Sequence, residues 1–330
     1  MSAALLSSIS LVPPPVPNGE PESMQMPIID FSKLQQTDGS RLAVIRDVET
    51  ACREIGCFQV INHGISKSVM EGALSAAYDF FELPAESKAE FMSPDITKPV
   101  RYDCSNEGIN KSRSYLKHYA HPLEEWIKFW PREPPTYRIK MGQYAIEVRR
   151  VALCLMHAIL QSLGLGQAYL GTKLEEGVQL LAVNYYPQST QPGVALGLAP
   201  HSDYGFITIL LPSCPGLEVM DPKTKVWMSV LQPEDTLHVH IGDHLEALSN
   251  GKYRTVVHRA VLNSENSRVS IASIHGLAMN EKVRSAEELV DEQNPAMYKE
   301  SSFRDFLDFL PSKEIKNKSY IDSLRIGTAE

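Results

Sequence analysis

Ala199-Pro200-His201-Ser202-Asp203, followed by the apolar run Phe206-Ile207-Thr208-Ile209-Leu210-Leu211, is the stretch on which the reading of this chain turns. In an extended strand residues i and i+2 project from one face, so His201 and Asp203 aim an imidazole and a carboxylate at one place. One further donor would complete three neighbouring corners around a divalent metal. His258, in the β-branched run Thr255-Val256-Val257-His258-Arg259-Ala260-Val261, is the candidate. Two histidines and one carboxylate leave the opposite metal positions open. An H-x-D pair alone is common by chance, so the rest of the chain must support it.

Working outward, short apolar runs recur at 180–186, 206–211, 217–220, 226–231, 236–242, 255–261 and 269–275. Asp221-Pro222-Lys223-Thr224-Lys225 between two of them is a hairpin signal. Many short strands after a helical half predict a double-sheet jelly roll or small barrel, hence an α+β chain. Upstream, Tyr144, Val148, Val151, Ala152, Leu155, Ile159 and Leu163 stripe a helix from about Gln143 to Leu163, stopped by Gly164 and suited to backing the sheet. Ser40 is expected to cap a helix striped by Val44, Ile45, Val48, Cys52 and Ile55 and ended by Gly56. Residues 27–31 and 57–61 read as strands, Asn62-His63-Gly64 as a turn, and a second helix follows Ser66. Pro84 suits the first turn of a third. From Ser93 to Pro135 the period fades, in a stretch holding Arg101, Tyr102, Arg113, Tyr115, Lys117, Tyr119, Trp126 and Trp130. Such a stretch is either functional or a surface excursion.

The boundaries expected are a flexible tail over 1–26 and one catalytic unit over 27–330. Within that unit, 27–140 is the helical part, 141–310 the helix plus jelly-roll core, and 311–330 a C-terminal tail. At 330 residues and 43% hydrophobic composition the chain is long enough for one large core or two domains, and the lack of an internal repeat or clean linker favours one unit. A net charge of −8 argues against a nucleic-acid partner. No window approaches a membrane span of ~20 apolar residues. The apolar start lacks a basic region and is broken by Pro13-Pro14-Pro15, so it does not read as a signal peptide. Five scattered cysteines (Cys52, Cys57, Cys104, Cys154, Cys214) read as reduced thiols. The expectation is a cytoplasmic monomer acting on a small molecule.

Two further same-face pairs stand near the triad in pattern. Arg268-Val269-Ser270 offers a guanidinium fork plus a hydroxyl, matched to one carboxylate. Asn184 and Tyr186 form another pair. Singly, a strand arginine is usually a solvated edge residue and a strand tyrosine usually core. Two histidines with one carboxylate and open positions opposite is also the facial triad of non-haem Fe(II) oxygenases.

Taken together, Asn184-Tyr185-Tyr186-Pro187, His201-Ser202-Asp203, Ile241-Gly242-Asp243, Leu248-Ser249-Asn250-Gly251-Lys252-Tyr253, His258-Arg259 and Arg268-Val269-Ser270 resemble the plant Fe(II)/2-oxoglutarate-dependent dioxygenases. Phe58-Gln59-Val60-Ile61-Asn62-His63-Gly64 matches that family's amino-terminal hallmark. The resemblance runs from about Pro27 to Phe309 and is nearest to the flavanone hydroxylase, flavonol synthase and salicylate hydroxylase group. It implies a double-stranded β-helix, cupin-like core with supporting helices. It implies Fe(II) on His201, Asp203 and His258, and 2-oxoglutarate gripped by Arg268 and Ser270, with Tyr186 beside it and Asn184 near its chelating end. O2 is then the oxidant, ascorbate the expected reductant, and hydroxylation or desaturation of a small plant metabolite or hormone the outcome.

Where many relatives have asparagine before Ile-Gly-Asp, this chain has His240, and His238-Val239-His240 makes a second same-face histidine pair. A metal-binding role is open to that pair; a core histidine bonded across the strand is the favoured reading. His244 stands where glutamine or threonine is more usual. The substrate walls are expected from Arg101, Tyr102 and the loop up to Tyr119, from Ala182 and Phe206, and from Ile274-His275-Gly276. Ile274 and Ala182 replace a phenylalanine and a basic residue frequent in flavonoid-binding relatives, which weakens a flavonoid assignment. Arg101 could face a substrate carboxylate or phenolate, or solvent. A zinc hydrolase on the same three ligands and a non-catalytic metabolite-binding protein are the alternatives.

Overall fold

The computed structural model describes residues 23–105, 113–166, 169–189, 196–311 and 319–327. The chain starts with β1 (Ser23–Met24), β2 (Ile28–Asp30) and the one-turn α1 (Phe31–Leu34). In α2 (Gly39–Glu54) the expected stripe of Val44, Ile45, Val48 and Cys52 is buried. Its cap is Asp38 rather than Ser40: the Asp38 carboxylate accepts from the Ser40 amide at 2.9 Å. Gly56 ends the segment at φ +84°, where a Cβ would strike the Arg254 carbonyl. β3 (Cys57–Ile61) leads through the expected turn to α3 (Lys67–Glu82), capped by Ser66, and α4 (Ala85–Ala89) follows Pro84.

The aperiodic stretch is not a surface excursion. It contains a hairpin, β4 (Val100–Ser105) and β5 (Arg113–Tyr119), then α5 (Leu123–Trp126). Its strands escape pattern recognition because one face points into a polar cavity, so polar residues occupy inward positions. α6 (Tyr137–Ser162) begins at Tyr137 rather than Gln143 and packs its stripe on the main sheet.

The β-rich half supplies β6 (Gln179–Tyr186), β7 (Leu196–His201), β8 (Ile207–Pro212) and β9 (Leu217–Met220). It continues with β10 (Trp227–Val230), β11 (Leu237–Ile241), α7 (Asp243–Leu248), β12 (His258–Val261) and β13 (Arg268–His275). The chain closes with α8 (Phe303–Phe309) and α9 (Tyr320–Leu324). β7 carries Gly197 and Pro200, which hide it from a propensity reading.

Two sheets form the jelly roll: β1-β10-β9-β12-β7, and β2-β3-β11-β8-β13-β6-β5-β4. The expected β9–β10 hairpin is present. In the larger sheet the two-residue alternation separates two environments. Val183, Ile209, Val239, Val269 and Ile271 face α2, α3 and α6 in the main core, while the residues between them face the space between the sheets. That alternation is what brings distant polar side chains into one cavity.

Both expected tails need redrawing. Residues 1–22 of the N-terminal tail lie outside the described residues, but Ser23 and Met24 pair with Ser229 and Val230. Of the C-terminal tail, 312–318 and 328–330 lie outside the described residues. Between them α9 buries Tyr320, Ile321 and Leu324, and the Lys299 amide donates to the Leu324 carbonyl at 2.7 Å. Among the described residues, no helix is long and apolar enough to cross a membrane.

Candidate active site

His201 ends β7 and His258 begins β12, and the two are direct cross-strand partners with ring centroids 4.3 Å apart. Asp203 is not on the strand but in the turn after it. It is fixed there from α7, whose Asp243 amide donates to the Asp203 carbonyl at 2.7 Å. Gly242 lets this approach happen, because a Cβ there would overlap the Gly205 carbonyl.

The backbone also sets the tautomers. His201 Nδ1 lies 2.9 Å from the Ala199 carbonyl and His258 Nδ1 3.2 Å from the Val256 carbonyl. A carbonyl can only accept, so Nδ1 carries the proton and each Nε2 keeps its lone pair. Those Nε2 atoms stand 3.8 and 3.9 Å from the two Asp203 carboxylate oxygens, and the three donor groups lie within 4.8 Å of one another. Burial pulls both imidazoles down, keeping them neutral.

Asp203 Oδ2 is buried with no hydrogen-bond partner among the described residues. An orphaned carboxylate oxygen and two inward Nε2 lone pairs fit a divalent cation, and the N2O donor set fits Fe(II).

The triad opens into a cavity of about 220 Å³ between the sheets. Arg268, Ser270, Tyr186 and Asn184 all line it. The Arg268 guanidinium donates through Nε to the Cys214 carbonyl at 3.0 Å and sits 5.3 Å from the Tyr186 ring centroid. Asn184 is engaged by an arginine outside the expected set: Arg113 donates to its Oδ1 through Nε at 3.0 Å and Nη2 at 2.5 Å.

Of the expected substrate walls, Arg101, Tyr119, Ala182 and Ile274 line the cavity, and Tyr102, Phe206 and Gly276 do not. Tyr102 is one position out of phase with Arg101 on β4, so its ring packs on Phe80 and Phe81. Phe206 is buried in the main core, against the helices. Gly276 lies past the end of β13, where its carbonyl closes on Gly177. Arg113 and Lys117, in the segment leading up to Tyr119, line the cavity from a strand, β5, rather than from a loop. Walls not anticipated are Tyr204 beside Asp203, and Phe303 and Phe306 on α8. Nothing in the sequence connects α8 to the cavity.

The paired histidines divide. His238 Nε2 bonds the Gln232 side-chain oxygen at 2.7 Å, so it is a core histidine held through one nitrogen, its buried Nδ1 having no partner among the described residues. His240, expected to be the same, lines the cavity with neither ring nitrogen partnered. His244 bonds Ser301 at 3.0 Å and thereby ties α7 to the C-terminal segment.

Comparison with known proteins agrees with this geometry. The 2OG-Fe(II) oxygenase superfamily matches residues 177–276, and the N-terminal region of non-haem dioxygenases in morphine synthesis matches 26–137. The rice (Oryza sativa subsp. japonica) 2-oxoglutarate-dependent dioxygenase 21, chloroplastic, is 59% identical over 317 residues, 96% of this chain and 94% of the relative. Rice flavanone 3-dioxygenase 3 is 54% identical over 314 residues, 94% of this chain and 96% of that one. The crystal structure of JOX2 with 2-oxoglutarate, iron and JA superposes with a TM-score of 0.81 at 30% identity, covering 95% of this chain and 93% of that one. Neither the hydrolase nor the passive-binder reading is favoured by these relationships. The chain belongs to the Fe(II)- and 2-oxoglutarate-dependent dioxygenase family.

Proposed function

We propose that His201, Asp203 and His258 hold Fe(II), that Arg268 and Ser270 bind the distal carboxylate of 2-oxoglutarate beside Tyr186, and that Asn184 stands near its chelating end. The observation that carries this is the convergence of two lone-pair-bearing Nε2 atoms and an unpartnered carboxylate oxygen at one end of a cavity that Arg268 and Ser270 also line. When bound, Fe(II) with 2-oxoglutarate and O2 supplies the oxidising chemistry, releasing succinate and CO2 and hydroxylating or desaturating a small plant metabolite. The chain's part is binding and orientation. Ala199 and Val256 carbonyls fix the imidazole tautomers, and Asp243 fixes the turn that presents Asp203. The Cys214 carbonyl and the Tyr186 ring hold the Arg268 fork before a ligand arrives, which lowers the entropy cost of gripping a carboxylate.

The substrate proposed is aromatic or phenolic, a reading supported by the rings of Tyr119, Tyr204, Phe303 and Phe306 in the cavity wall. The same reading puts the enzyme in the cytosol as a monomer without a nucleic-acid partner. Five unpaired thiols and a net charge of −8 support the reducing compartment and the absence of nucleic acid.

Mass spectrometry of a plant metabolite extract incubated with the protein, Fe(II) and O2 tests the proposal. Succinate and an oxidised product should form only when 2-oxoglutarate is added, and Asp203→Ala should abolish both. Turnover retained in Asp203→Ala, or under nitrogen, would overturn it.

A further inference from the structure

The cavity holds more positive charge than a metal and a co-substrate account for. Among its described lining residues Asp203 is the single carboxylate, against Lys98, Arg101, Arg113, Lys117, Arg259 and Arg268. Arg259 is neutralised by buried Glu218 at 2.6 Å, and Arg268 is the 2-oxoglutarate clamp of the reading above. Lys98 precedes β4. The remaining three stand together on the β4–β5 hairpin.

Their arrangement is costly for a sheet. Arg113, Tyr115 and Lys117 alternate along β5, and Arg101 is the direct cross-strand partner of Lys117. All three cations surround one ring: the Arg101 and Arg113 guanidinium carbons lie 5.8 and 4.7 Å from the Tyr115 centroid, and the Lys117 ammonium 5.2 Å. Like charges directly opposite across a strand pair destabilise it, and the aromatic quadrupole offsets only part of that.

Among the described residues, no carboxylate faces the Arg101–Lys117 pair directly. Asp103 is exposed and reaches the cluster only through the Tyr115 hydroxyl, which donates to it at 3.2 Å and accepts from Arg101 at 3.0 Å. Asp203 acts on Lys117 from the metal end, and its charge is committed to the metal. Lys117 itself has neither hydrogen bond nor ion pair with any described residue. Burial first, then Arg113 and Arg101, pulls its ammonium down to about 8.

We propose that the Arg101–Lys117 pair, backed by Arg113, binds a carboxylate of the substrate, so that the molecule oxidised is an organic acid. The proposal rests on the functional reading above and adds the substrate class. A carboxylate accepts a guanidinium fork and an ammonium together, and its charge offsets the repulsion between the cross-strand partners Arg101 and Lys117. The hairpin is the edge of the larger sheet and His201 and His258 belong to the smaller one, so the acid group and the oxidised carbon are addressed from different walls.

The test uses the full chain with Fe(II) and saturating 2-oxoglutarate under nitrogen, so that neither the metal nor Arg268 is open to a second acid. trans-Cinnamate and 1-naphthaleneacetate are titrated by calorimetry against their primary amides. Each acid should bind about tenfold or more tightly than its amide. Arg101→Met and Lys117→Met should each erase that preference, and Lys117→Arg should retain it. Lys117→Met removes a charge among like charges, so its melting temperature should not fall, which separates loss of the ligand from loss of the fold. Equal affinity for acid and amide, no binding of either acid, or a preference surviving both methionine variants overturns the acid site. The titration of wild-type protein with 2-oxoglutarate that precedes these measurements is the separate check on the parent reading, and absence of binding there overturns that reading instead.

Discussion

The Nδ1 atom of His240 lies 3.8 Å from Oδ2 of Asp203, and both His240 ring nitrogens are buried without a hydrogen-bond partner. Its ring centroid is 4.4 Å from that of His258. A third imidazole, beside those of His201 and His258, therefore stands against the Asp203 carboxylate, on β11. Groups that hold a metal ligand in place commonly carry tenfold or more in metal affinity.

His240→Phe, which keeps the ring and removes its nitrogens, should weaken Fe(II) binding by roughly tenfold in competition with a chelator. His240→Asn, which keeps a donor, should lose less. Unchanged affinity in the phenylalanine variant would make His240 a packing residue.

Arg268→Lys keeps the charge and loses the planar fork. It also loses the Nε bond to the Cys214 carbonyl that orients the side chain. The KM for 2-oxoglutarate should rise by about tenfold or more, with a smaller change in kcat. Equal KM values in the two proteins would remove Arg268 from the co-substrate site.

Four buried histidines outside the metal set predict acid lability. Burial, the largest cause in each, pulls His118, His238 and His275 down to about 3 and His244 to about 4. Unfolded, each titrates near 6.5, so below that pH the unfolded chain takes up protons that the folded chain refuses. Stability is thus fully present above 6.5 and falls as pH falls toward the folded values. Each contributes up to about 1.4 kcal/mol per pH unit in that window. Urea midpoints of metal-free protein should drop from pH 6.5 to 5, and His244→Gln should shallow the slope by about one proton. A flat midpoint over that range contradicts the assignment.

The legible parts of this chain were those where one physical period dominates. α2, α3 and α6 bury one helical stripe each, and β8 and β13 are apolar on the face that meets them, so they stand out in the letters. The H-x-D, R-x-S and N-x-Y pairs were readable because residues two apart share a face of an extended chain, although Asp203 reaches that position from a turn. β4 and β5 were not readable: Arg113 and Lys117 face the polar cavity, and Leu116 and His118, on the opposite face of β5, are fully buried. The phase error at Tyr102 and the distance of Phe206 from the cavity share a cause. Neither sequence neighbourhood says which face of a strand meets helices and which meets ligand. The approach of α8 to the site depends on tertiary packing alone.

That packing makes the last prediction. Tyr204, next to Asp203, stacks on both Phe303 and Phe306, each 4.4 Å away at interplanar angles of 7° and 16°, and those two rings are 6.2 Å from each other. α8 is anchored at its start by a capping box between Ser302 and Asp305. The three rings join the turn that carries Asp203 to the C-terminal segment, and two of the three sit on α8, which among the described residues is held by no strand hydrogen bond. Phe303 is 3% exposed, so Phe303→Ala should cost about 3–5 kcal/mol of stability and report mainly on folding. Phe306 is only partly buried, so Phe306→Ala should fold. It should raise the substrate KM several-fold, about 1 kcal/mol, through loss of one aromatic stack, while the KM for 2-oxoglutarate stays near wild type because Arg268 is on another wall. Phe306→Tyr, which restores a ring, should recover the substrate KM. If both KM values rise together in Phe306→Ala, the stack supports the whole site rather than the substrate wall, and α8 loses its place as the substrate-side cover.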